Sequence, residues 1–585
     1  MRVPEALRII QGAPPDAAPF AALLACGCAP LHLKTFLHAH LQQRLPQQRV
    51  NVSEGLYGDL AGTLERASDQ SLHAVALVLE WSDLDARLGY RSAGQWSLAA
   101  TDDILRSVAA ALARIAAAIE KLDRSVRIAL SMPALPLPPL FHTNGTQASE
   151  AELELENQLA TFAARMARRP RLAVVHARRL AEESAPAGRF DLKSDLLIGF
   201  PYTVAHADAL AAACARLLVP LAPKKGIITD LDDTLWSGIV GEVGAQGVSW
   251  ELSRHHHLHA LYQNLLASLA EQGTLVAVAS KNDPEVVSSA FSRTDLLLPP
   301  ERIFPIEVHW QTKSSSVSRI LEAWNIGAGD VIFVDDSPME LAEVEAAHPG
   351  IQCVRFPQGD YTAGLAMLRQ IRDLCGKDRL TGEDTLRLDS IRQGAEFRRM
   401  AEEGAVSDSF LEQAGAVVTF DFAPSPEDTR VLDLVNKTNQ FNLNGIRRTD
   451  ADWQAGNRMQ DAVVAVVSYE DKFGPLGKIA VIQGCRNGTA LQVKTWVMSC
   501  RAFSRRVEYQ CLRVLFDRFN LTAIGFDFAA TPRNGPLQEF FAVLLGDKPA
   551  GHVTLSRVEF ESRCPALFQR LVVAGDGRKE KTWTN

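Results

Sequence analysis

The sequence predicts an α/β fold, with a parallel, helix-covered sheet at its centre and a mixed α/β region towards its C-terminal end. Three observations carry this. Short apolar runs alternate with longer amphipathic stretches as far as about residue 356. Several of those runs stop abruptly at polar residues, as buried strands do when they reach a sheet edge. Beyond residue 416 the apolar runs follow one another more closely, which suits adjacent antiparallel strands.

In the first 220 residues, Ala74–Trp81, Val126–Ser131 and Leu172–Val175 read as buried strands. Leu98–Leu122 and Ser149–Arg168 read as helices, the second opening with Ser149 and Glu152 at capping-box spacing. Phe20–Cys26 faintly resembles the apolar core of an export signal. Pro14, Pro15, Asp16 and Pro19 crowd its approach, so a buried helix is expected there. Neither GxSxG nor a Gly-Asp-Ser turn occurs in this region, and no esterase activity is expected of it.

Pro220, Pro223, Lys224 and Lys225 mark a boundary. The strand Gly226–Thr229 follows, then Leu275–Ala279 and Val331–Val334, and a polar helical connector over about 376–405. The final section begins with Ala416–Phe422 and includes Ala462–Ser468, Lys478–Gln483 and Leu491–Val497. With 585 residues, about two to four domains are expected. A net charge of -8 gives no general attraction to nucleic acid or anionic membranes. No apolar segment reaches bilayer-spanning length. Nine scattered cysteines without paired CxxC knuckles argue against structural zinc and a disulfide framework, and suit a reducing cytoplasm.

The strongest chemical signal is Ile227-Ile228-Thr229-Asp230-Leu231-Asp232-Asp233-Thr234. Asp230 closes an apolar strand at the end where open α/β sheets place ligands. Asp232 follows two residues later, and paired carboxylates need a cation or a shared proton between them. Mg²⁺ is the natural cation, since it prefers oxygen ligands and helps to bind phosphate. Three further pieces follow in order: a strand ending at Ser280-Lys281-Asn282, Lys313 just ahead of an amphipathic helix, and a strand ending at Asp335-Asp336.

This ordered set resembles the cap-poor branch of the haloacid-dehalogenase (HAD) phosphohydrolases over about 225–356. The resemblance implies that Asp230 attacks phosphorus and Asp232 acts as acid and base. Ser280 and Lys313 would hold phosphoryl oxygens, with Asn282 beside them, and Thr234 would buttress the loop at the substrate. Asp335, Asp230 and Asp232 (through its carbonyl) would ligate Mg²⁺, with Asp336 a helper.

His255 and His259, one helical turn apart, suggest a metal pair, but a solvated helix face is the preferred reading. In the tail, Asn436–Asn442 is a polar run, Asp471–Gly474 a hairpin turn, and Thr531–Leu537 leads into a short helix. Trp496–Arg501 leads a strand into Ser504-Arg505-Arg506 and a helix, a ready anion site.

Together these features resemble the FkbH-like HAD-IIIC proteins. The predicted architecture is a HAD-like Rossmannoid domain (221–375), flanked by an SGNH-like α/β domain (1–220) and, after a connector (376–410), a GNAT-like domain (411–575). The resemblance implies glyceryl transfer from 1,3-bisphosphoglycerate, a phosphorylated small-molecule donor, to the phosphopantetheine arm of an acyl carrier protein in polyketide-type biosynthesis. Cys500, beside Arg501 and a basic helix start, is the candidate acyl-accepting thiol, a buried strand-end cysteine being the simpler reading, and Arg501 and Arg505 are expected at the substrate. Two positions depart from the pattern: Ala279 stands where a cysteine is expected, and Ala502–Arg506 replaces a glycine-containing segment. A plain phosphatase and a non-catalytic carrier-binding scaffold stay open as alternatives.

Overall fold

Three sheets organise the chain, and every strand of the first two is parallel to its neighbours. The computed structural model describes all residues except 93–99, 142, 379, 381–383, 385, 403–407, 426–427, 473, 500–501, 504, 548, 550 and 575–585. Two compact units emerge, Met1–Ala222 and Pro223–Asn585. Among the described residues no helix is long and apolar enough to cross a membrane.

The first unit contains β1 (Pro19–Cys26), β2 (Arg49–Glu54), β3 (Ala74–Val78), β4 (Arg127–Ser131) and β5 (Leu172–Val174) in the order β2-β1-β3-β4-β5. Apolar clusters pack both faces, so every residue of β3 is buried. That explains one correction. Phe20–Cys26, expected to be helical, belongs to β1, because a strand covered on both faces shows no alternation and its Ala/Leu composition mimics a helix. A second correction is that the strand expected to reach Trp81 ends at Val78, and Trp81 opens a short helix. The capping box forms as expected, with Ser149 Oγ accepting from Glu152 N at 3.1 Å and the Glu152 carboxylate accepting from Ser149 N at 2.8 Å.

The second unit begins with β6 (Gly226–Thr229), β7 (Leu275–Ser280), β8 (Ile303–Val308), β9 (Val331–Asp335) and β10 (Gln352–Arg355), ordered β10-β9-β6-β7-β8. Strand order reverses beside β6, which places a crevice at the carboxyl ends of β6, β7 and β9. The connector includes the helix Arg387–Glu402. It is tied to the sheet region where Arg387 donates to Gly273 O at 3.0 Å and to Asp384 at 3.2 Å.

The third sheet comprises β11 (Val417–Asp421), β12 (Phe441–Asn442), β13 (Ala462–Asp471), β14 (Gly474–Asn487), β15 (Ala490–Met498), β16 (Ala523–Phe526), β17 (Val553–Ser556) and β18 (Arg570–Ala574). Its centre is antiparallel from β11 through β15, while β16 joins β15 in parallel over Ala490–Val493 only. Beyond that point β15 parts from β16, and β12 pairs with its last residues, Val497 and Met498.

At the carboxyl end of β3, Glu80 is only 5% exposed. Its carboxylate accepts from Tyr202 Oη at 3.1 Å and Ala134 N at 3.2 Å. Burial pushes Glu80 up to about 8 and Asp83 to about 7, with hydrogen bonds offsetting part of the rise. Unfolded Glu80 loses its proton near 4.5, whereas the folded group keeps it to about 8. Folding therefore takes up a proton across that window, and the unit loses stability as pH rises through it. Glu80→Gln is expected to flatten this dependence and to protect β3 at alkaline pH. Hydrogen exchange of residues 74–80 at about pH 5.5 and 8.5, corrected for intrinsic rates, checks it, and an unchanged slope in the variant would contradict it.

Candidate functional site

Strand register assembles the site. Thr229 of β6 lies opposite Val278 of β7 and Val334 of β9, so the next residues, Asp230 and Asp335, emerge side by side. Asp230 N donates to Val334 O at 3.0 Å, which fixes that alignment. Ser280 ends β7 on the other flank of β6. Lys313, expected in a loop, is the first residue of the helix Lys313–Trp324. Its Nζ lies 2.9 Å from Asp230 and 2.5 Å from Asp335, with all three side chains buried.

The loop after β6 is held from several directions. Asp233 adopts a left-handed conformation (φ 53°), and its carboxylate accepts from Gly238 N at 2.8 Å. Aspartate tolerates that conformation better than most side chains. Asp232 turns away from Lys313. Its Oδ1 accepts from Trp236 Nε1 at 2.9 Å and Val240 N at 3.0 Å, and its Oδ2 accepts from Asn282 Nδ2 at 3.0 Å. Asn282 also donates to Ser280 Oγ at 3.0 Å, linking the tip of β7 to the loop. The helix His257–Glu271 braces the loop from behind. His259 meets Thr234 O at 2.9 Å and Gln263 donates to Leu235 O at 2.9 Å. Tyr262, on the same helix, donates to Thr229 Oγ1 at 3.1 Å.

Burial dominates the electrostatics. It raises Asp230 to about 6, Lys313 pulling down against burial and Asp335 pushing up. Asp335 and Asp336 are also raised, chiefly by burial. Burial works against the charge on Lys313, but Asp230 and Asp335 outweigh it and hold the ammonium above its ordinary value. Asp230, Asp335 and Asp336 each offer an oxygen within 4.8 Å of the others. This is a hard-oxygen set that fits a small divalent cation, with Asp336 the most solvent-accessible of the three.

The expected central residues thus converge, although the carboxylate of Asp232 belongs to the loop network and not to the acidic trio. Thr234 is wholly buried with Oγ1 unpartnered among the described residues, so it lies behind the loop and does not face a substrate. The histidines do not form the solvated helix face expected of them. His255 lies outside the helix in a left-handed conformation, and His259 is buried against Phe356 with ring centroids 4.7 Å apart. In the tail, Arg505 turns into the core, where it pairs with buried Asp471 at 3.5 Å and covers Tyr469. It is therefore not presented to a ligand, contrary to expectation. Arg506 is taken up by Asp408 at 2.6 Å and Ala566 O at 2.8 Å. Cys500, Arg501 and Ser504 lie outside the described residues. Sequence reasoning missed Trp236 and the backbone of Val240 as holders of Asp232, and missed the bracing face of His259, Tyr262 and Gln263. The signal for the latter was present, since His259, Tyr262 and Gln263 fall at i, i+3 and i+4, on the same side of the helix as apolar residues such as Leu266.

A parallel α/β sheet whose carboxyl edge gathers three carboxylates around a buried lysine offers a hard-oxygen set for a divalent cation. No family model and no curated protein matches the chain. Among solved structures, it is similar to the N-terminal part of protein BF1531 from Bacteroides fragilis, which contains a phosphatase domain complexed with Mg. That likeness has 16% identity over 65% of this chain and 100% of the other, with a TM-score of 0.49. An uncharacterised protein from Corynebacterium glutamicum is similar at 20% identity, covering 27% of this chain and 98% of its own, with a TM-score of 0.19. At these values neither likeness assigns an activity to this chain.

Replacing Lys313 by Met would leave Asp230 and Asp335 facing each other without their cation. Breaking a buried pair from one side costs about 3–5 kcal/mol. The variant's carboxyls would hold a proton to still higher pH, so its deficit should grow as pH rises. Urea unfolding in EDTA at about pH 5.5 and 8 tests this, and a deficit that shrinks with pH would contradict the assignment of Lys313 as their counter-ion.

Proposed function

We propose that the chain is a Mg²⁺-dependent HAD-type phosphoryl-handling enzyme that couples phosphate release to acyl transfer. In this reading the glyceryl group of 1,3-bisphosphoglycerate passes to the phosphopantetheine thiol of an acyl carrier protein. The observation that carries the phosphoryl step is the placement of Lys313 between Asp230 and Asp335, with Asp336 beside them, at the carboxyl edge of a parallel sheet.

Asp230 is the nucleophile at the C3 phosphate: its carboxylate oxygen bonds to phosphorus as the bond to the C3 oxygen breaks, giving an aspartyl-phosphate and leaving the C1 acyl phosphate intact for the carrier thiol, whose attack on C1 expels the second phosphate. Lys313 supplies a fixed positive charge to the transferring group, and Ser280, at the tip of β7, supplies a hydroxyl. Asp232 moves the protons, giving one to the leaving oxygen and taking one from the water that later cleaves the aspartyl-phosphate. Its bonds to Trp236, Val240 and Asn282 fix its side chain for that task. Asp230, Asp335 and Asp336, with the Asp232 carbonyl, would hold Mg²⁺, which supplies charge neutralisation at the phosphoryl oxygens when bound.

The acyl-transfer half rests on the resemblance of the tail to GNAT domains. It gains support from the tail sheet, in which an antiparallel series is followed by one parallel pairing that parts halfway along β15. The SGNH-like reading of residues 1–220 is supported only by the five-stranded parallel sheet. A plain phosphatase is the second reading, favoured because the acid–lysine cluster is drawn wholly from β6, β9 and their flanking segments.

The decisive experiment incubates the chain with Mg²⁺, 1,3-bisphosphoglycerate and a pantetheinylated carrier, and reads both proteins by intact mass. A glyceryl adduct on the carrier, absent with Asp230→Asn, is expected. Phosphate release without an adduct would establish the plain phosphatase. Equal turnover by wild type and Asp230→Asn would reject the phosphoryl mechanism altogether. Asp232→Asn should slow turnover by about 10²–10⁴-fold, the range for losing a positioned acid–base group. EDTA should abolish it, with recovery on adding Mg²⁺.

A further inference from the structure

The tail domain contains a cavity of about 230 Å³ that none of the foregoing chemistry uses. One wall is the segment Thr438–Arg447, the other Thr531–Arg533, and no carboxylate lines it. Two guanidiniums, Arg447 and Arg533, meet there. Arg447 is anchored: it donates to Val435 O at 3.2 Å, to Thr438 O at 2.9 Å and to Asn439 Oδ1. Arg533 is exposed, and among the described residues no ion pair engages either arginine. The pair opposes itself. Burial and then the charge of Arg533 lower the pKa of Arg447, as expected of two cations held together without an anion.

The two walls are joined by design of the chain rather than by chance contact. Asn534, wholly buried, donates to Asn442 O at 3.0 Å and Ala529 O at 2.9 Å, and accepts from Thr531 N at 2.8 Å. It is also the N-cap residue of the helix Gly535–Leu545, whose positive end therefore lies next to the cavity. Gly445 lies in a left-handed conformation (φ 71°), and a Cβ there would approach Thr531 Cγ2 to 3.3 Å, so the walls close tightly. Thr531 Oγ1 accepts from Arg533 N and Asn534 N, which leaves its hydroxyl proton to donate.

The volume limits the ligand. Pockets for drug-sized molecules run to roughly 300–1,000 Å³, so this one suits a compact oxyanion on a narrow stem. Arginine favours phosphate because its planar fork presents paired donors to two oxygens. The basic helix start at Arg505-Arg506 does not offer the same charge, since each guanidinium is already paired with a carboxylate, Asp471 and Asp408.

We infer that the cavity between Thr438–Arg447 and Thr531–Arg533 is a phosphate-binding site that receives the phosphate of a ligand reaching the tail domain. The shared chemistry is a phosphate ester on a slender stem, supplied by a phosphopantetheine arm or by a free phosphorylated metabolite. The inference rests on the carrier-loading reading only for the choice of the first probe.

Calorimetric titration of the full chain, without Mg²⁺, with 4′-phosphopantetheine, pantetheine and inorganic phosphate tests it. Binding that requires the phosphate, weakened about tenfold or more by Arg533→Gln and partly restored by Arg533→Lys, is expected. Phosphopantetheine binding more tightly than inorganic phosphate would identify the arm as the source. Equal binding with the same Arg533 dependence would support the site and identify a free metabolite. Pantetheine binding as well as phosphopantetheine, or titrations unchanged by Arg533→Gln, would overturn the inference. Phosphate held at the acid–lysine cluster appears as the component indifferent to Arg533. Because binding needs no turnover, failure of carrier loading and failure of this site are separable.

Discussion

Lys313 between Asp230 and Asp335 is the interaction on which the sheet β6–β10 and its carboxyl edge depend. Two carboxylates brought together at the end of a buried parallel sheet repel, and taking either charge out of water costs several kcal/mol. A single ammonium within 3 Å of both offsets the repulsion and fixes the distance between β6 and β9 at their tips. The surrounding structure reads as support for that arrangement. The register of three strands delivers the acids, the first residue of a helix delivers the lysine, and a second helix pins the loop from behind.

Much of this was legible in the sequence because the informative signals were local. β6 begins and ends as expected, and the ends of β7 and β9 differ from the reading by one residue each. Apolar strands that stop at Asp230, Ser280 and Asp335 announce a carboxyl edge, and a parallel sheet brings such edges together. Phe20–Cys26 was misread because its evidence was not local. A strand buried on both faces has no alternation, so only its neighbours in the sheet distinguish it from a helix. His259 failed in the same way, since its burial against Phe356 is set by a residue almost a hundred positions away.

The tail shows the opposite limit. Its basic residues are conspicuous in the sequence, yet charge says nothing about direction. Arg505 points inward because Asp471, at the end of β13, needs a partner, and Arg506 is claimed by Asp408. The arginines that remain for a ligand come from two segments separated by more than eighty residues. They meet where Asn534, together with the bond from Ala529 N to Leu443 O (3.1 Å), ties those segments to each other. No spacing rule reaches across such a distance.

The four-residue length of β6 and its fixed register have a consequence for how this protein can vary. Successive side chains in a strand point to opposite faces, so inserting or deleting one residue within β6 or β9 would invert everything beyond it and carry Asp230 or Asp335 away from Lys313. The loops that follow the strands obey no such parity. Relatives that keep the chemistry should therefore differ freely in the length of those loops, while length changes inside β6 and β9 are purged. New substrates would be acquired by remodelling the rim of the site, never by adjusting its floor.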